Sequence, residues 1–313
     1  MSRRAGSNGC APPTSPVADP PGGRADDELV RSLLARASFP AAGSEVTCAV
    51  SGGADSSALL VLAVAAGCRV EAVHVDHGLR PGGAEVAARV AALAGAFGAR
   101  FRAHAVQVGP GGNLEARARA ARYAVLPPDV ATGHTADDQA ETVLLNQLRG
   151  AALAGLAGMR PGPRHPLLGL RRAETRALCD HLGLDVLDDP SNRDPRHLRN
   201  RVRHELLPLL AELSGRDPVP LLCRQATHLR AAADQLRALA AELEPSDARA
   251  LAGAPGALAE VAVREWLRPL DPERHPPNSA SAPGAAAMAR ASDGSSSAAT
   301  ALSWSAAARR WLA

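Results

Sequence analysis

Apolar residues along this chain fall into short continuous runs that alternate with longer segments in which they recur every three or four positions. The short runs cover residues 46–50, 70–75, 101–106 and 129–132 and predict four β-strands. The segments around them predict helices at 58–66, 84–97, 114–126 and 137–149, and Leu29 and Leu33 mark a short helix before the first strand. Strands that alternate with helices build βαβ units, so the pattern predicts an α/β fold with a doubly wound parallel sheet.

The second half of the chain loses the strand signal. Helical spacing continues at 171–183, 197–212 and 219–243, where Leu222, Leu229 and Leu236 fall near one stripe. Residues 1–25 and 271–313 are rich in small residues and proline without a sustained period, which predicts disorder at both ends. We therefore expect an α/β domain over 26–212 and a small helical domain over 213–270.

The basic residues are all of one kind: the 35 Lys and Arg positions are all arginine, and the sequence contains no lysine. This excludes a Walker A phosphate loop, which needs a lysine at the phosphates. It also excludes a Schiff-base lysine and a lysyl nucleophile. Heavy use of Ala, Gly, Pro and Arg indicates codon bias as the simplest cause, and the exclusions hold whatever the cause.

The cysteines and the charge balance limit which kinds of site and which cellular compartment we expect. The five cysteines are odd in number and no two have CxxC spacing, so neither a disulfide framework nor a zinc or iron–sulfur site is expected. No apolar stretch approaches the roughly 18–20 residues of a membrane span. A net charge of +3 is too small to indicate a nucleic-acid partner by itself. We expect a cytoplasmic protein with no membrane partner.

A serine- and glycine-rich loop follows the first predicted strand. Its members are Ser51, Gly52, Gly53, Ala54, Asp55 and Ser56. The glycines let the backbone approach a ligand closely, and the N-terminus of the next helix offers free N–H groups to an anion. Asp55 would repel phosphates unless a divalent cation lay between them, so the loop predicts a pyrophosphate site with Mg²⁺ at Asp55. The competing interpretation is an ordinary helix cap made by serine and aspartate.

This loop resembles the PP-loop of the N-type ATP pyrophosphatases, which cleave ATP between its α and β phosphates and adenylate a substrate oxygen. The superfamily includes GMP and NAD synthetases, tRNA thiolation enzymes and tRNA(Ile)-lysidine synthetases, and the loop alone does not distinguish them. Four further segments, at 73–79, 113–123, 132–145 and 189–208, resemble the tRNA(Ile)-lysidine synthetases in order and spacing. The resemblance implies a PP-loop ATPase fold of the adenine nucleotide alpha hydrolase type over 26–212. It also implies a helical tRNA-binding domain over 213–270.

The resemblance further implies a ligase with three substrates. ATP adenylates the oxygen on carbon 2 of the wobble cytidine in the isoleucine tRNA with a CAU anticodon, and pyrophosphate leaves. The ε-amine of free L-lysine then attacks that carbon, AMP leaves, and the base becomes lysidine. The expected ligands are therefore ATP, Mg²⁺, L-lysine and tRNA(Ile). The oligomeric state stays open, and a homodimer is compatible with the sequence.

The motifs supply candidate residues for the nucleotide and for the chemistry. His74 and Asp76 end the second strand, where they would lie beside ATP, although polar residues at a strand end are also ordinary loop residues. Arg119 and Arg122 are three apart on a predicted helix and so share a face. Arginine suits phosphate and developing negative charge, and the alternative for this pair is a solvated basic face.

His134 and Asp138 are four residues apart at a helix start and can act on one substrate. By resemblance, Asp138 would hold the ammonium group of lysine and His134 would contact the adenylate or a phosphate. Asp137 and Glu141 are alternatives for Asp138. An aspartate near a helix N-terminus can also serve only to complement the helix dipole.

Five arginines stand within eleven residues, and Asp194 is the one acid between them in the sequence. They are Arg193, Arg196, Arg199, Arg201 and Arg203. Such a patch suits the phosphates of an RNA backbone, and the competing interpretation is a solvated helix face. Two other functions stay open. One is tRNA thiolation, which commonly needs the paired cysteines that this chain lacks, and the other is a tRNA- or nucleotide-binding relic without turnover.

Overall fold

The computed structural model describes residues 27–78, 82–107, 114–189 and 193–267. The predictions of disorder over 1–25 and 271–313 lie outside these residues.

Three parallel strands form the sheet in the described part of the chain. They are β1 (Glu45–Ala49), β2 (Arg69–Asp76) and β3 (Arg100–Ala105), in the order β1-β2-β3. Val46 is opposite Val70, and Ala72 is opposite Phe101. Each strand is followed by a helix, so the α/β prediction is confirmed for this part of the chain.

The predicted fourth strand at 129–132 is wrong in extent. Only Ala131 bridges to β1, where its N–H donates to Thr47 O at 2.8 Å and its carbonyl accepts from Ala49 N at 2.9 Å. The next amide, that of Thr132, donates to the carbonyl of Arg164 at 2.9 Å instead of to β1. The chain therefore leaves the sheet after one bridge, and the loop that follows turns toward the carboxyl end of β1.

The helices described up to residue 148 surround or precede the strands. They are α1 (Glu28–Leu34), α2 (Ala54–Ala65), α3 (Gly83–Ala96), α4 (Leu114–Val125) and α5 (Ala136–Leu148). Helix α2 begins four residues before the predicted start, inside the glycine loop, and all eight residues from Ser56 to Ala63 are buried. Because α2 is enclosed on every side over this stretch, the loop that precedes it is held by the main apolar core.

The later helices are α6 (Leu153–Leu156), α7 (Arg172–His181), α8 (Leu198–Arg201), α9 (Leu207–Ser214), α10 (Pro218–Ala240), α11 (Ala248–Gly253) and α12 (Gly256–Leu267). A π-helical turn, Val202–Leu206, joins α8 to α9 into one continuous segment. Pro208 has no N–H to donate to the preceding turn, which accounts for a widened turn at this place.

Helix α10 packs on α5 through a second apolar cluster that includes Ala136, Leu144, Leu207 and Val219. The helical region therefore shares an apolar core with the α/β region. Within the described part of the chain, no helix has both the length and the apolar character that a bilayer crossing requires.

Candidate active site

The loop over residues 51–56 joins β1 to α2 and folds back on itself. Ser51 N donates to Ser56 Oγ at 3.1 Å, and Ser56 Oγ donates to Gly53 O at 2.9 Å. Gly52 has φ +89°, which favours glycine. Gly53 is the N-cap of α2 and supplies no side-chain cap, so the first N–H groups of the helix are left for an anion.

The loop is closely packed by two later segments. Leu187 N donates to Gly52 O at 2.9 Å, and a Cβ on Gly52 would come within 2.7 Å of the Leu187 side chain. On the other side, a Cβ on Gly133 would lie 2.7 Å from the backbone oxygen of Asp55. Glycine at 133 therefore lets the 131–135 segment approach the start of α2.

Gly133→Ala tests this close approach. The added methyl group meets backbone that has no freedom to rotate away, so we expect a loss of about 1–3 kcal/mol in unfolding free energy. We also expect weaker ATP binding. Urea denaturation and calorimetric titration with ATP measure the two effects. Gly95→Ala is the matched control because a Cβ there meets nothing within 4 Å in α3; an equal loss in both variants would contradict the steric account.

His74 and Asp76 are tied to backbone groups near the loop. His74 is buried, and its Nδ1 lies 2.9 Å from Val50 O, directly before the loop. Asp76 Oδ1 accepts from Gly78 N at 2.9 Å, and its carboxylate lies against Gly83 at the start of α3. Both residues shape the carboxyl edge of the sheet, and their contact with ATP stays a prediction.

Arg119 and Arg122 flank Tyr123 on α4. Their guanidinium carbons lie 5.0 Å and 5.3 Å from the ring centroid. Their positive charges also act on His134, although that residue is more than ten positions away in sequence. The structure thus brings the predicted arginine pair and the predicted histidine to one place.

His134 belongs to a polar group that sequence reasoning missed in part. Its Nδ1 lies 2.6 Å from Thr132 Oγ1, and Nδ1 of His165 lies 2.8 Å from the same oxygen. The two rings meet edge to face at 5.2 Å. Burial lowers the pKa of His134 and the pKa of His165 to about 4, so both rings are neutral at pH 7. His165 stands in a loop without a motif, and no sequence signal singles it out.

A cluster of three arginines surrounds the fully buried Glu141. Arg172 Nη2 lies 3.1 Å from Glu141 Oε1, and Nε of Arg199 lies 2.7 Å from Oε2. Arg203 binds both oxygens, at 2.7 Å and 3.1 Å. Arg172 and Arg199 also reach Oδ1 of Asp138, each at 3.0 Å. We call Asp138, Glu141, Arg172, Arg199 and Arg203 the arginine–acid cluster.

Asp138 therefore faces the protein interior. Its Oδ2 accepts from the backbone N and the hydroxyl of Thr135, both at 3.0 Å. The pKa of Asp138 is lowered because the charges of Arg172 and Arg199 outweigh the desolvation that burial imposes. Asp137, the predicted alternative for binding lysine, is engaged as well: both of its oxygens accept from Arg171, and the backbone N of Arg172 donates to it at 2.8 Å.

Arg172 joins the cluster to the loop. Its Nε lies 3.6 Å from Asp55 Oδ2, while the hydroxyl of Thr175 donates to Oδ1. Burial raises the pKa of Asp55, because its surroundings compensate the carboxylate charge less completely than those of Asp138. Arg172 was not predicted, since a pair of arginines at the start of a helix matches none of the motifs recognised in the sequence.

The five arginines of 193–203 do not form the single patch that the sequence predicts. Arg199 and Arg203 turn inward to Glu141. The other three are exposed, and each has an acidic partner: Asp188 pairs with Arg193, Asp194 with Arg196, and Glu205 with Arg201. Glu141 thus engages two of the five arginines, and RNA contact by this group stays a prediction.

The parallel sheet, the uncapped helix start and the serine–glycine loop at the carboxyl end of β1 define a PP-loop nucleotide-binding domain. In agreement, residues 27–210 match the PP-loop domain family. The chain is 46% identical over 254 residues to a tRNA(Ile)-lysidine synthase from Nocardia farcinica, covering 76% of this chain and 80% of that protein.

Two further relatives carry the same name. The protein from Rhodococcus erythropolis is 43% identical over 238 residues, or 71% of this chain and 73% of its own length. The protein from Mycobacterium leprae is 44% identical over 239 residues, or 70% and 73%. The chain belongs to the tRNA(Ile)-lysidine synthase family of PP-loop proteins, which confirms the resemblance drawn from its motifs.

Proposed function

We propose that this protein ligates L-lysine to carbon 2 of the wobble cytidine of tRNA(Ile) with a CAU anticodon, at the expense of ATP. One observation carries the proposal: Arg172 places an anion-binding loop in direct contact with a buried cluster of acids and arginines. An anion-binding loop suits the triphosphate of ATP, and mixed charges suit the zwitterionic end of an amino acid. The names of the relatives supply the identity of the tRNA. The cytoplasm is the proposed compartment, where tRNA and free lysine occur together.

The first half-reaction is assigned to the loop and α4. The N–H groups at the start of α2 hold the phosphates, and the oxygen on carbon 2 of the cytidine attacks the α-phosphorus while pyrophosphate leaves. Arg119 and Arg122 stabilise the negative charge that develops during this transfer. The cytidine has to be unstacked to reach the loop, as RNA loops allow.

Asp55 is the proposed Mg²⁺ ligand. Its Oδ2 is 3.6 Å from Arg172, longer than a tight charge-assisted hydrogen bond, so lone pairs remain for a cation. The raised pKa of Asp55 fits this assignment, since a carboxylate that lacks full compensation gains from a cation beside phosphates. When bound, Mg²⁺ would neutralise the charge of the leaving pyrophosphate.

The second half-reaction is assigned to His134 and the arginine–acid cluster. Both oxygens of Asp138 are occupied, so lysine would enter by exchange: its ammonium group replaces a guanidinium on Asp138. Its carboxylate then takes the guanidinium that is released. The ε-amine attacks carbon 2 of the adenylated cytidine, and AMP leaves with the oxygen.

The tRNA is proposed to contact the exposed arginines between residues 193 and 201 together with the helical domain that follows at 213–270. Arg193, Arg196 and Arg201 are exposed by 75%, 87% and 56%, and each can exchange an acidic side chain for a phosphate. The region 213–270 is kept as the proposed tRNA-binding domain. A homodimer stays compatible with this arrangement.

The alternative of tRNA thiolation gains no support from the described cysteines. Burial raises the pKa of Cys48 and Cys179 to about 12 and the pKa of Cys223 to about 11. A thiol with such a pKa is not a thiolate at neutral pH and is a poor sulfur carrier. Cys10 lies outside the described residues.

Release of AMP and pyrophosphate tests the proposal. We expect release that requires both L-lysine and tRNA(Ile) with the CAU anticodon, together with incorporation of labelled lysine into that tRNA. Initiator tRNA, which has the same anticodon, is the matched control and should accept far less. Turnover without lysine dependence contradicts the proposal, and binding of ATP and tRNA without AMP release would select the non-catalytic alternative.

A further inference from the structure

The hydroxyl group of Thr132 is shared by three neighbours. Its oxygen lies 3.1 Å from Arg164 O, 2.6 Å from Nδ1 of His134 and 2.8 Å from Nδ1 of His165. A threonine hydroxyl has one hydrogen to donate and two lone pairs to accept with. Three contacts use that capacity in full.

Only one arrangement of protons satisfies all three contacts. The carbonyl of Arg164 can only accept, so the hydrogen of Thr132 goes to that oxygen. Both lone pairs then accept, and each imidazole donates from Nδ1–H. If the hydroxyl instead donated to a histidine, two oxygens would face each other at 3.1 Å with no hydrogen between them, which is repulsive.

Each neutral imidazole carries one ring proton, so a proton fixed at Nδ1 leaves Nε2 as an acceptor. The pKa values of about 4 keep both rings neutral at pH 7. His134 is part-buried, and its Nε2 has no hydrogen-bond partner in the described part of the chain, so this lone pair is left for a substrate group.

We propose that Thr132 and His165 are positioning residues that fix His134 with its Nε2 lone pair open, so that His134 accepts a hydrogen bond from the ε-amine of lysine. An ionised phosphate oxygen has no hydrogen to give, so this arrangement excludes a phosphate as the partner of Nε2. Arg119 and Arg122 add positive charge near His134 and thereby favour the uncharged amine, which is the nucleophilic form. The role in lysine attack depends on the function proposed above; the proton arrangement does not.

The proton arrangement is measured by nitrogen NMR of the histidine rings in the full chain. His134→Gln assigns the signals of His134 by their disappearance. We expect Nδ1 of His134 to be protonated and Nε2 unprotonated in the wild type and in Thr132→Ser, which keeps the hydroxyl. In Thr132→Val, a substitution of similar shape, we expect the proton to move to Nε2. An unchanged tautomer in Thr132→Val overturns the proposal, whether or not the protein makes lysidine.

Lysidine formation is measured on the same variants. His165→Leu removes the ring donor, and we expect kcat to fall about tenfold with a higher KM for lysine and an unchanged KM for ATP. His165→Asn keeps an N–H donor and should restore most of the loss. His181→Asn is the matched control, since this ring bonds Asp27 at the start of α1. A change in the KM for ATP alone, or no rescue by asparagine, contradicts the positioning role.

Discussion

Replacing Glu141 by glutamine will lower the free energy of unfolding by about 3–5 kcal/mol, the usual cost of removing one partner from a buried ion network. The Glu141 side chain is fully buried and receives hydrogen bonds from Arg172, Arg199 and Arg203. Glutamine keeps the shape and removes the negative charge. Its amide N–H₂ also faces guanidinium donors that need an acceptor, so the arginines are left buried without full compensation.

Urea denaturation followed by circular dichroism measures this loss. Glu205→Gln is the matched control: its carboxylate pairs with Arg201 on the exposed face of the same helical segment, and we expect no measurable change. If Glu141→Gln were as stable as the control, the cluster would not hold α5 to the segment that starts at Leu198.

Asp55→Asn will lower the rate of AMP formation by at least about 100-fold, while the folded protein stays as stable as the wild type or becomes more so. The pKa of Asp55 is raised, so the folded state favours the uncharged form, and asparagine resembles that form. The hydroxyl of Thr175 can still donate to the amide oxygen.

We expect the opposite effect on stability for Asp138→Asn, in the arginine–acid cluster that Arg172 joins to Asp55. The pKa of Asp138 is lowered, so its charge stabilises the fold above the unfolded pKa, and that contribution is lost as the pH falls through the folded pKa. We expect this variant to lose about 3 kcal/mol at pH 7. Its difference from the wild type should shrink in acid. Denaturation at several pH values, paired with AMP release, separates the two aspartates; a destabilised Asp55→Asn would contradict the account.

The sheet, the loop and the helix order were predictable because each is encoded within a few adjacent residues. An apolar run before Ser51 predicts a strand that ends at the loop, and helical spacing predicts α2 and α5 apart from their ends. The fourth strand failed because its length depends on where Thr132 finds a hydrogen-bond partner. That partner, Arg164, is more than thirty residues away, and no local pattern records it.

The partners inside the site were beyond sequence reasoning for a similar reason. In the sequence, Arg199 and Arg203 resemble surface charges. In the structure, both bind Glu141 of α5. His165 and Arg172 belong to segments without motifs, and they reach the site because the backbone carbonyls of Arg164 and Leu170 accept from the 132–136 segment. Charge alone cannot tell a solvated arginine from a buried one.

The π-helical turn at Val202–Leu206 lies within one continuous helical segment, α8 to α9, that contacts different neighbours on its two sides. Upstream of the turn, Arg199 engages the acids of α5; downstream, Leu207 packs against the apolar faces of α5 and α10. In the proposed lysine exchange, Arg199 would change its partner at one end of this helical segment while Leu207 stays packed at the other end. The π-helical turn lies between these two anchors and interrupts the regular α-helical hydrogen-bond pattern there. We therefore expect the proposed binding of lysine and the packing of α10 to be coupled through this turn.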